Sequence, residues 1–169
     1  IHNAYHNGLV YDSTGRLHVT WSWRTGGDST TGFTDYQSNH NLMYAYSEND
    51  GVDWRLADGT LLQRNSQHDV DEVNATPVLT IPDGSSLINQ ASSAIGPDDT
   101  YYLATWWAPE AASGNHLRQF MLVEYDGGTW KTHQVTNRNP EAAGIGTNSV
   151  PESQLGTVRM TRPIVLTDE

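Results

Sequence analysis

The first 54 residues alternate between apolar and polar positions in a way that predicts antiparallel strands. Between Leu17 and Arg24, apolar Leu, Val, Trp and Trp alternate with His, Thr, Ser and Arg, and a period of two separates the two faces of a strand. An earlier apolar run is separated from this one by Asp12-Ser13-Thr14-Gly15, a cluster of turn-forming residues in which Gly15 can adopt a positive φ. The pattern therefore predicts a β-hairpin.

A third strand is predicted at residues 41–46, and it leads directly into the octet SENDGVDW at residues 47–54. The octet fits the Asp-box pattern Ser-x-Asp-x-Gly-x-x-Trp, with Asn49 in the aspartate position. In such a turn a small polar side chain caps the backbone, Gly51 supplies a conformation that other residues resist, and Trp54 fills the space beside the strands. We therefore interpret residues 5–54 as one complete structural unit.

Strand geometry predicts which side chains meet at one end of this unit, which we call the rim. If the hairpin turns at residues 13 and 14, facing residues have numbers that sum to about 27, so Tyr5 lies opposite Ser22. His6 lies opposite Trp21 by the same rule. Side chains that do chemistry tend to cluster at one rim of a rigid β scaffold. The polar residues predicted to gather there are Asn3, Tyr5, His6, Asn7, Arg24, Asn39 and His40.

A second, weaker copy of the unit follows. Its predicted opening segment, hairpin turn, second arm, third strand and outer strand lie at residues 87–90, 96–99, 100–107, 117–124 and 131–136. An offset of 85 places Trp21 on Trp106, and a degenerate Asp-box ending closes at Trp130. Repeats of three or four antiparallel strands are typical of a β-propeller.

The predicted fold class is therefore all-β, with two to three blades of a β-propeller. Residues 1–169 are assigned to part of a single propeller domain, with blade-like repeats at about 5–62 and 87–136 and the start of another strand at 162–167. Residues 137–156 lack periodicity and are predicted to form a long loop. Two and a fraction blades would leave unpaired edges, so we expect the remaining blades to come from the same longer protein or from a second copy.

Charge and composition narrow the classes of partner. A net charge of −11 argues against nucleic acid and anionic membranes, because both require a basic surface. Only nine Lys and Arg are present, so an acidic protein of this kind that binds an acidic polymer must concentrate its cations locally. The absence of cysteine excludes disulfides and a Cys nucleophile. No apolar run approaches the ~20 residues of a membrane span.

Two long segments resemble a known family. AYHNGLVYDSTGRLHVTWSWR at residues 4–24 and NHNLMYAYSENDGVDW at residues 39–54 resemble the BNR-repeat (Asp-box) propellers, which include the ulvan lyases of polysaccharide lyase families 24 and 25. The later segments LINQ, GTW and TRPIV look like the following blades of that group. The resemblance implies a seven-bladed, secreted or periplasmic enzyme of marine bacteria that cleaves the sulfated rhamnose and uronic acid polymer of green algae by β-elimination. Its partner would be an anionic polysaccharide.

The chain departs from that family in one respect that affects the site. The family's histidine pair and its carboxylate-neutralising arginine come largely from blades that would precede Ile1, and no matching pair stands upstream of Tyr5. β-Elimination at a uronate needs a group that neutralises the carboxylate, a base and an acid, and Arg, His and Tyr suit these tasks. Our hypothesis is that His6 or Tyr5 transfers the proton while Arg24 with Asn7 binds the carboxylate. Further substrate contacts are assigned to Asn3, Asn39, His40 and Trp23.

Several alternatives remain open at this point. Tyr5 and Arg24 could simply pack and pair at a blade edge, and His40 could be structural. A hydrolytic Asp-box propeller such as a sialidase and a non-catalytic carbohydrate-binding propeller are the alternative functions. No cofactor is required, although acidic residues could supply the oxygen ligands of a structural calcium ion. The candidates for that ion are Asp28 and Asp35, or Asp69, Asp71 and Glu72.

Overall fold

The computed structural model describes residues 3–26, 37–64, 70–111, 117–138 and 162–167. These residues form two antiparallel sheets, which we call the first sheet, with strand order β1-β2-β3-β4-β5, and the second sheet, with order β6-β7-β8-β9. The predicted all-β, blade-like fold is confirmed. The strands are β1 (Asn3–Tyr11), β2 (Leu17–Arg24), β3 (Asn39–Ser47), β4 (Asp53–Arg55), β5 (Leu61–Arg64), β6 (Ser92–Ile95), β7 (Tyr101–Trp107), β8 (Gln119–Tyr125) and β9 (Trp130–Gln134).

The first hairpin forms in the predicted register. Tyr5 pairs with Ser22, and His6 pairs with Trp21, as the sum of 27 requires. The register then shifts by one residue, next to Gly8, which has a φ of 131°. That conformation is one that residues with a Cβ rarely adopt, and a Cβ at Gly8 would also lie 2.9 Å from Ser93 Oγ, so glycine suits this position.

The Asp-box turn also forms as predicted. Ser47 Oγ accepts a hydrogen bond from the Gly51 amide at 2.9 Å, and Asn49 Oδ1 accepts one from the Asp53 amide at 2.8 Å. Gly51 has a φ of 84°, the left-handed conformation that glycine adopts without strain. Two small polar side chains thus satisfy the backbone of the turn, and Trp54 packs beside it against the core of the first sheet.

The outer part of the first sheet consists of two short strands. β4 and β5 pair with each other around a turn at Gly59. Residues 74–81 form no strand, and their pairing with β3 is an isolated bridge between Leu42 and Leu79. Pro77 has no amide hydrogen to donate to a ladder, which limits pairing in this segment.

The main core lies between the two sheets. Tyr44 of the first sheet packs against Tyr101, Val123 and Trp130 of the second. The side chains of Tyr44, Tyr101 and Val123 are each at most 1% exposed. Trp130 stacks on Tyr125 with 4.5 Å between ring centroids. Aromatic pairs of this kind contribute about 1 kcal/mol each beyond the area they bury. The second tryptophan that closes a unit is therefore part of the contact that holds the sheets together.

The repeat is one residue shorter than the sequence comparison suggested. In the first hairpin turn the Asp12 amide donates to Arg16 O and the Gly15 amide to Asp12 O. The same two bonds recur in the second hairpin turn, where the Gly96 amide donates to Thr100 O and the Asp99 amide donates to Gly96 O. These turns are 84 residues apart, so the predicted offset of 85 is wrong. Because side chains alternate between faces, a slip of one residue exchanges the two faces of every strand.

The described end of the chain forms no strand of either sheet. Residues 162–167 lie beside β6, where Thr167 Oγ1 donates a 2.8 Å hydrogen bond to Ile95 O. The loop predicted at residues 137–156 lies outside the described residues, except for its first two. Within the described ranges, no helix has the length and apolar character needed to cross a membrane.

Candidate functional site

The rim residues predicted from the sequence lie on two opposite faces of the first sheet. Side chains of residues that pair across strands share a face, and the register pairs Asn3 and Asn39 with Arg24. Trp23 is paired with Ala4 and with His40 on the other side. We call the surface that carries Asn3, Arg24 and Asn39 the Arg24 face, and it is turned toward the second sheet. We call the opposite surface, which carries Ala4, Trp23 and His40, the Trp23 face. The rim is therefore two separate surfaces.

The Arg24 face carries a connected set of polar groups. Arg24 Nη1 donates to Tyr5 Oη at 3.1 Å, and Arg24 Nε donates to Asn39 Oδ1 at 2.7 Å. The guanidinium carbon lies 4.5 Å from the centroid of the Tyr5 ring, a cation–π contact. Neither hydrogen bond uses Nη2. Arg24 and Tyr5 are both half-buried, so the pair is held in place and is still accessible.

Asn39 fixes this arginine to the segment that precedes β6. Its side chain is 2% exposed, and its Nδ2 donates a 2.7 Å hydrogen bond to Leu87 O. With Oδ1 bound to Arg24, both ends of the amide are engaged. The arrangement orients the guanidinium through a buried, neutral group, which is how an arginine is held ready for an anion.

Asn7 is also on this face, and it ties the sheets together. Its Oδ1 accepts a hydrogen bond from the Ala91 amide at 3.0 Å, and its Nδ2 donates to Thr20 Oγ1 at 3.3 Å. Thr20 Oγ1 lies 2.8 Å from Tyr101 Oη. Both ends of the Asn7 amide are thus committed within the protein, while its predicted part in binding a carboxylate stays a prediction.

The Trp23 face has a different character. Trp23 is 5% exposed and packs edge-on against Trp21 with 6.3 Å between ring centroids. His6 is exposed and borders an apolar cavity of about 260 Å³. The predicted roles of His6 in proton transfer and of Trp23 in substrate contact stay predictions. The cavity is lined by Ala4, His6, Val19, Trp21, Trp23, Trp54, Leu62 and Val70.

His40 lies on the Trp23 face between two acidic residues that the sequence did not point to as its partners. Its Nε2 is 3.0 Å from Glu72 Oε1, and its Nδ1 is 3.2 Å from Asp83 Oδ1 and 3.0 Å from Ser38 O. The histidine is 9% exposed. Both ring nitrogens are therefore occupied by oxygen atoms of the protein, and its predicted contact with substrate stays a prediction.

The acidic residues considered for calcium do not form a cluster where they are described. Asp71 Oδ1 accepts hydrogen bonds from the Val73 and Asn74 amides at 2.8 and 2.9 Å, which is the geometry of a capped turn. The described ranges contain no group of three or more His, Asp or Glu side chains suited to hold a metal ion. The other candidates, Asp28, Asp35 and Asp69, lie outside the described residues.

The strand end opposite the rim carries a buried histidine. His18 Nδ1 lies 2.7 Å from Tyr44 Oη, and His18 Nε2 lies 3.2 Å from Asp12 Oδ2. Burial lowers the pKa of His18, and the nearby Asp12 offsets this only in part. Burial also raises the pKa of Tyr101, which stacks on His18, to about 12. His18 and Tyr101 are therefore uncharged near neutral pH, and their stacked rings join the two sheets.

The sequence can now be placed among known proteins. Residues 1–138 match the family described as BNR repeat-containing family member. The chain belongs to this BNR repeat-containing family. No curated protein sequence matches it significantly.

Solved structures similar to this BNR-repeat chain include ulvan lyases and another polysaccharide lyase. A polysaccharide lyase family PL25 ulvan lyase superposes with a TM-score of 0.57 at 12% identity, covering 82% of this chain and 32% of that one. The same type of enzyme bound to -[GlcA(1-4)Rha3S]- gives a TM-score of 0.59 at 14% identity, with the same coverage. Polysaccharide lyase Uly1 gives 0.52 at 13% identity, covering 78% and 28%.

These likenesses establish the fold. The chain spans about a third of the length of the lyases it superposes on, and the identities are low. It therefore corresponds to part of a polysaccharide-lyase-like propeller.

Proposed function

We propose that the protein containing this chain is a polysaccharide lyase that cleaves a sulfated, uronic acid-containing polysaccharide by β-elimination. The observation that carries the proposal is the Arg24 face of the rim, where Arg24 lies 3.1 Å from Tyr5 Oη and is oriented by buried Asn39. This places a cation suited to a carboxylate beside a side chain suited to proton transfer.

The reaction assigns one task to each group. The Arg24 guanidinium binds the uronate carboxylate and neutralises its charge, which makes the C–H bond beside the carboxylate more acidic. Tyr5 Oη, acting in its phenolate form, takes that proton as the C–H electrons form a carbon–carbon double bond and the bond to the neighbouring glycosidic oxygen breaks. The leaving oxygen is protonated, and Tyr5 can return the proton it removed. No net oxidation or reduction occurs.

Two further features support an anionic sugar polymer as the substrate. The chain has a net charge of −11, so cations held at one rim are the places where such a polymer can bind favourably. One structurally similar ulvan lyase is bound to a glucuronate and sulfated rhamnose fragment. Because such polymers are extracellular, the proposal includes secretion or export to the periplasm.

The experiment is to incubate the whole protein with ulvan and to follow ultraviolet absorbance and reducing ends together. A lyase forms an unsaturated uronate, so absorbance and reducing ends rise in proportion. A rise in reducing ends without absorbance would contradict the proposal and favour a hydrolase. Binding of ulvan without either signal would contradict it as well, and would favour a carbohydrate-binding propeller.

A further inference from the structure

A second arginine stands at the same rim as Arg24, at the start of the next segment around the propeller. Arg162 is exposed and donates a hydrogen bond from Nη2 to the side-chain oxygen of Gln90. Two more contacts continue this alignment: the Val165 amide donates to Ser92 Oγ at 3.4 Å, and Thr167 Oγ1 donates to Ile95 O at 2.8 Å. Residues 162–167 therefore run beside β6 in the same direction.

β6 lies beside β1 in the same way. The Ala91 amide bonds to Asn7 Oδ1, and Ser93 Oγ lies 2.9 Å from the position that a Cβ of Gly8 would take. Along each pair of neighbouring segments, the residue numbers of the contacting residues increase in the same direction. β1, β6 and residues 162–167 are therefore three adjacent segments that run parallel to one another. Their first residues consequently lie at the same end, which is the rim. Arg162 thus stands level with Gln90, and Gln90 stands level with His6.

The two arginines are joined by described contacts along the rim. Arg24 bonds to Asn39, and Asn39 bonds to Leu87 O, three residues before Gln90. Gln90 then bonds to Arg162. Two cations away from the rim have acidic partners: Arg16 pairs with Glu48 at the opposite end, and Lys131 on β9 pairs with two carboxylates. The described partner of Arg162 is a neutral amide, so this contact leaves its charge uncancelled.

We propose that Arg162 and Gln90 form a second anion subsite, which binds the sulfate or carboxylate of a sugar next to the one held by Arg24. A guanidinium binds such planar or tetrahedral oxyanions through paired N–H groups, and the Gln90 amide nitrogen supplies a further donor. The subsite rests on the proposed function for its substrate class. It adds a direction to the site: the polymer runs across the rim from the first sheet toward residue 162.

The test is a binding measurement on the whole protein carrying Tyr5→Phe, so that turnover does not consume the ligand. Calorimetry measures the affinity for an ulvan oligosaccharide and for the same oligosaccharide after desulfation. Adding Arg162→Gln is expected to weaken the affinity about 10-fold or more, the loss of a charged hydrogen-bonded contact. Arg162→Lys keeps the charge without the paired geometry and is expected to lose less. Lys131→Gln makes the same change of charge away from the rim and serves as the control.

The two ligands identify the group that is bound. A loss with the sulfated ligand alone assigns the subsite to sulfate, and a loss with both assigns it to a second carboxylate. The subsite is overturned if Arg162→Gln binds both ligands as tightly as Lys131→Gln, or if the parent binds neither ligand. If binding depends on Arg162 but the native protein forms no unsaturated uronate, the subsite stands and the lyase proposal fails.

Discussion

The Arg24 face and the Trp23 face of the same strands differ in what their side chains are bonded to. On the Arg24 face, polar groups bond to one another and then to the segment before β6, from Tyr5 through Arg24 and Asn39 to Leu87. On the Trp23 face, two indole rings pack together and His6 borders an apolar cavity. Residues adjacent in sequence therefore have different surroundings, and the first face is organised for an anion while the second is organised for packing.

The largest effect that sharpens this contrast concerns stability. Trp23→Ala removes a side chain that is 5% exposed, and we expect the free energy of unfolding to fall by about 3–5 kcal/mol. Denaturant unfolding measures this change. The KM of protein that remains folded should stay near the wild-type value. A KM that rises 10-fold or more in folded protein would instead show that Trp23 contacts the sugar.

The next effect concerns rate. Arg24→Ala removes the guanidinium that bonds to Tyr5 and Asn39, and we expect kcat/KM on ulvan to fall about 10²–10³-fold, the typical loss when one charge-stabilising donor is removed. Arg24→Lys should recover part of the activity, because it restores the charge and not the paired geometry. Unchanged steady-state kinetics in Arg24→Ala would remove Arg24 from the site.

A smaller effect, on the pH dependence of stability, is expected at His18, at the end of the Arg24 face opposite the rim. His18 has a lowered pKa when folded, so below about pH 6.5 the unfolded chain binds a proton that the folded chain does not. Stability should therefore fall as pH drops from about 6.5 toward the folded pKa of His18. His18→Gln should flatten this slope in denaturant unfolding measured across that range. An identical slope in both proteins would contradict the assignment.

The smallest effect is expected at His6. Its side chain lies on the Trp23 face, whereas the adjacent Tyr5 bonds to Arg24 on the other face. We therefore expect His6→Ala to leave kcat within about twofold of the wild type, since it would remove no group that transfers the proton. Steady-state kinetics at several pH values measures this. A loss of 100-fold would place the chemistry on the Trp23 face.

Local features of the fold could be predicted because each depends on a few neighbouring residues. The turn at Gly15, the pairing of Tyr5 with Ser22 and the Asp-box turn at Ser47 follow from turn chemistry and the period of two. The offset between repeats was wrong by one residue because it was set by matching Trp21 to Trp106. The hydrogen bonds of the two turns, not the tryptophans, fix that offset at 84.

The site could be predicted only in part. Alternation alone implies that Tyr5 and His6 face opposite ways, and this split was available from the sequence. The commitment of Asn7 to Ala91 and of Asn39 to Leu87 was not, because both bonds depend on where the second sheet packs. The acidic neighbours of His40, Glu72 and Asp83, are more than 30 residues away in sequence. The position of Arg162 at the rim was not available either, because it depends on the contacts that align residues 162–167 with β6.

The most direct test of the account compares two tyrosines on one strand. Tyr5 lies at the rim beside Arg24, and Tyr11 lies at the other end of β1, where it bonds to Asp50. The account predicts that Tyr5→Phe lowers the kcat for unsaturated uronate formation about 10²–10⁴-fold, while Tyr11→Phe leaves it unchanged. Equal kcat values in the two variants would contradict the assignment of the reacting site to the Arg24 face.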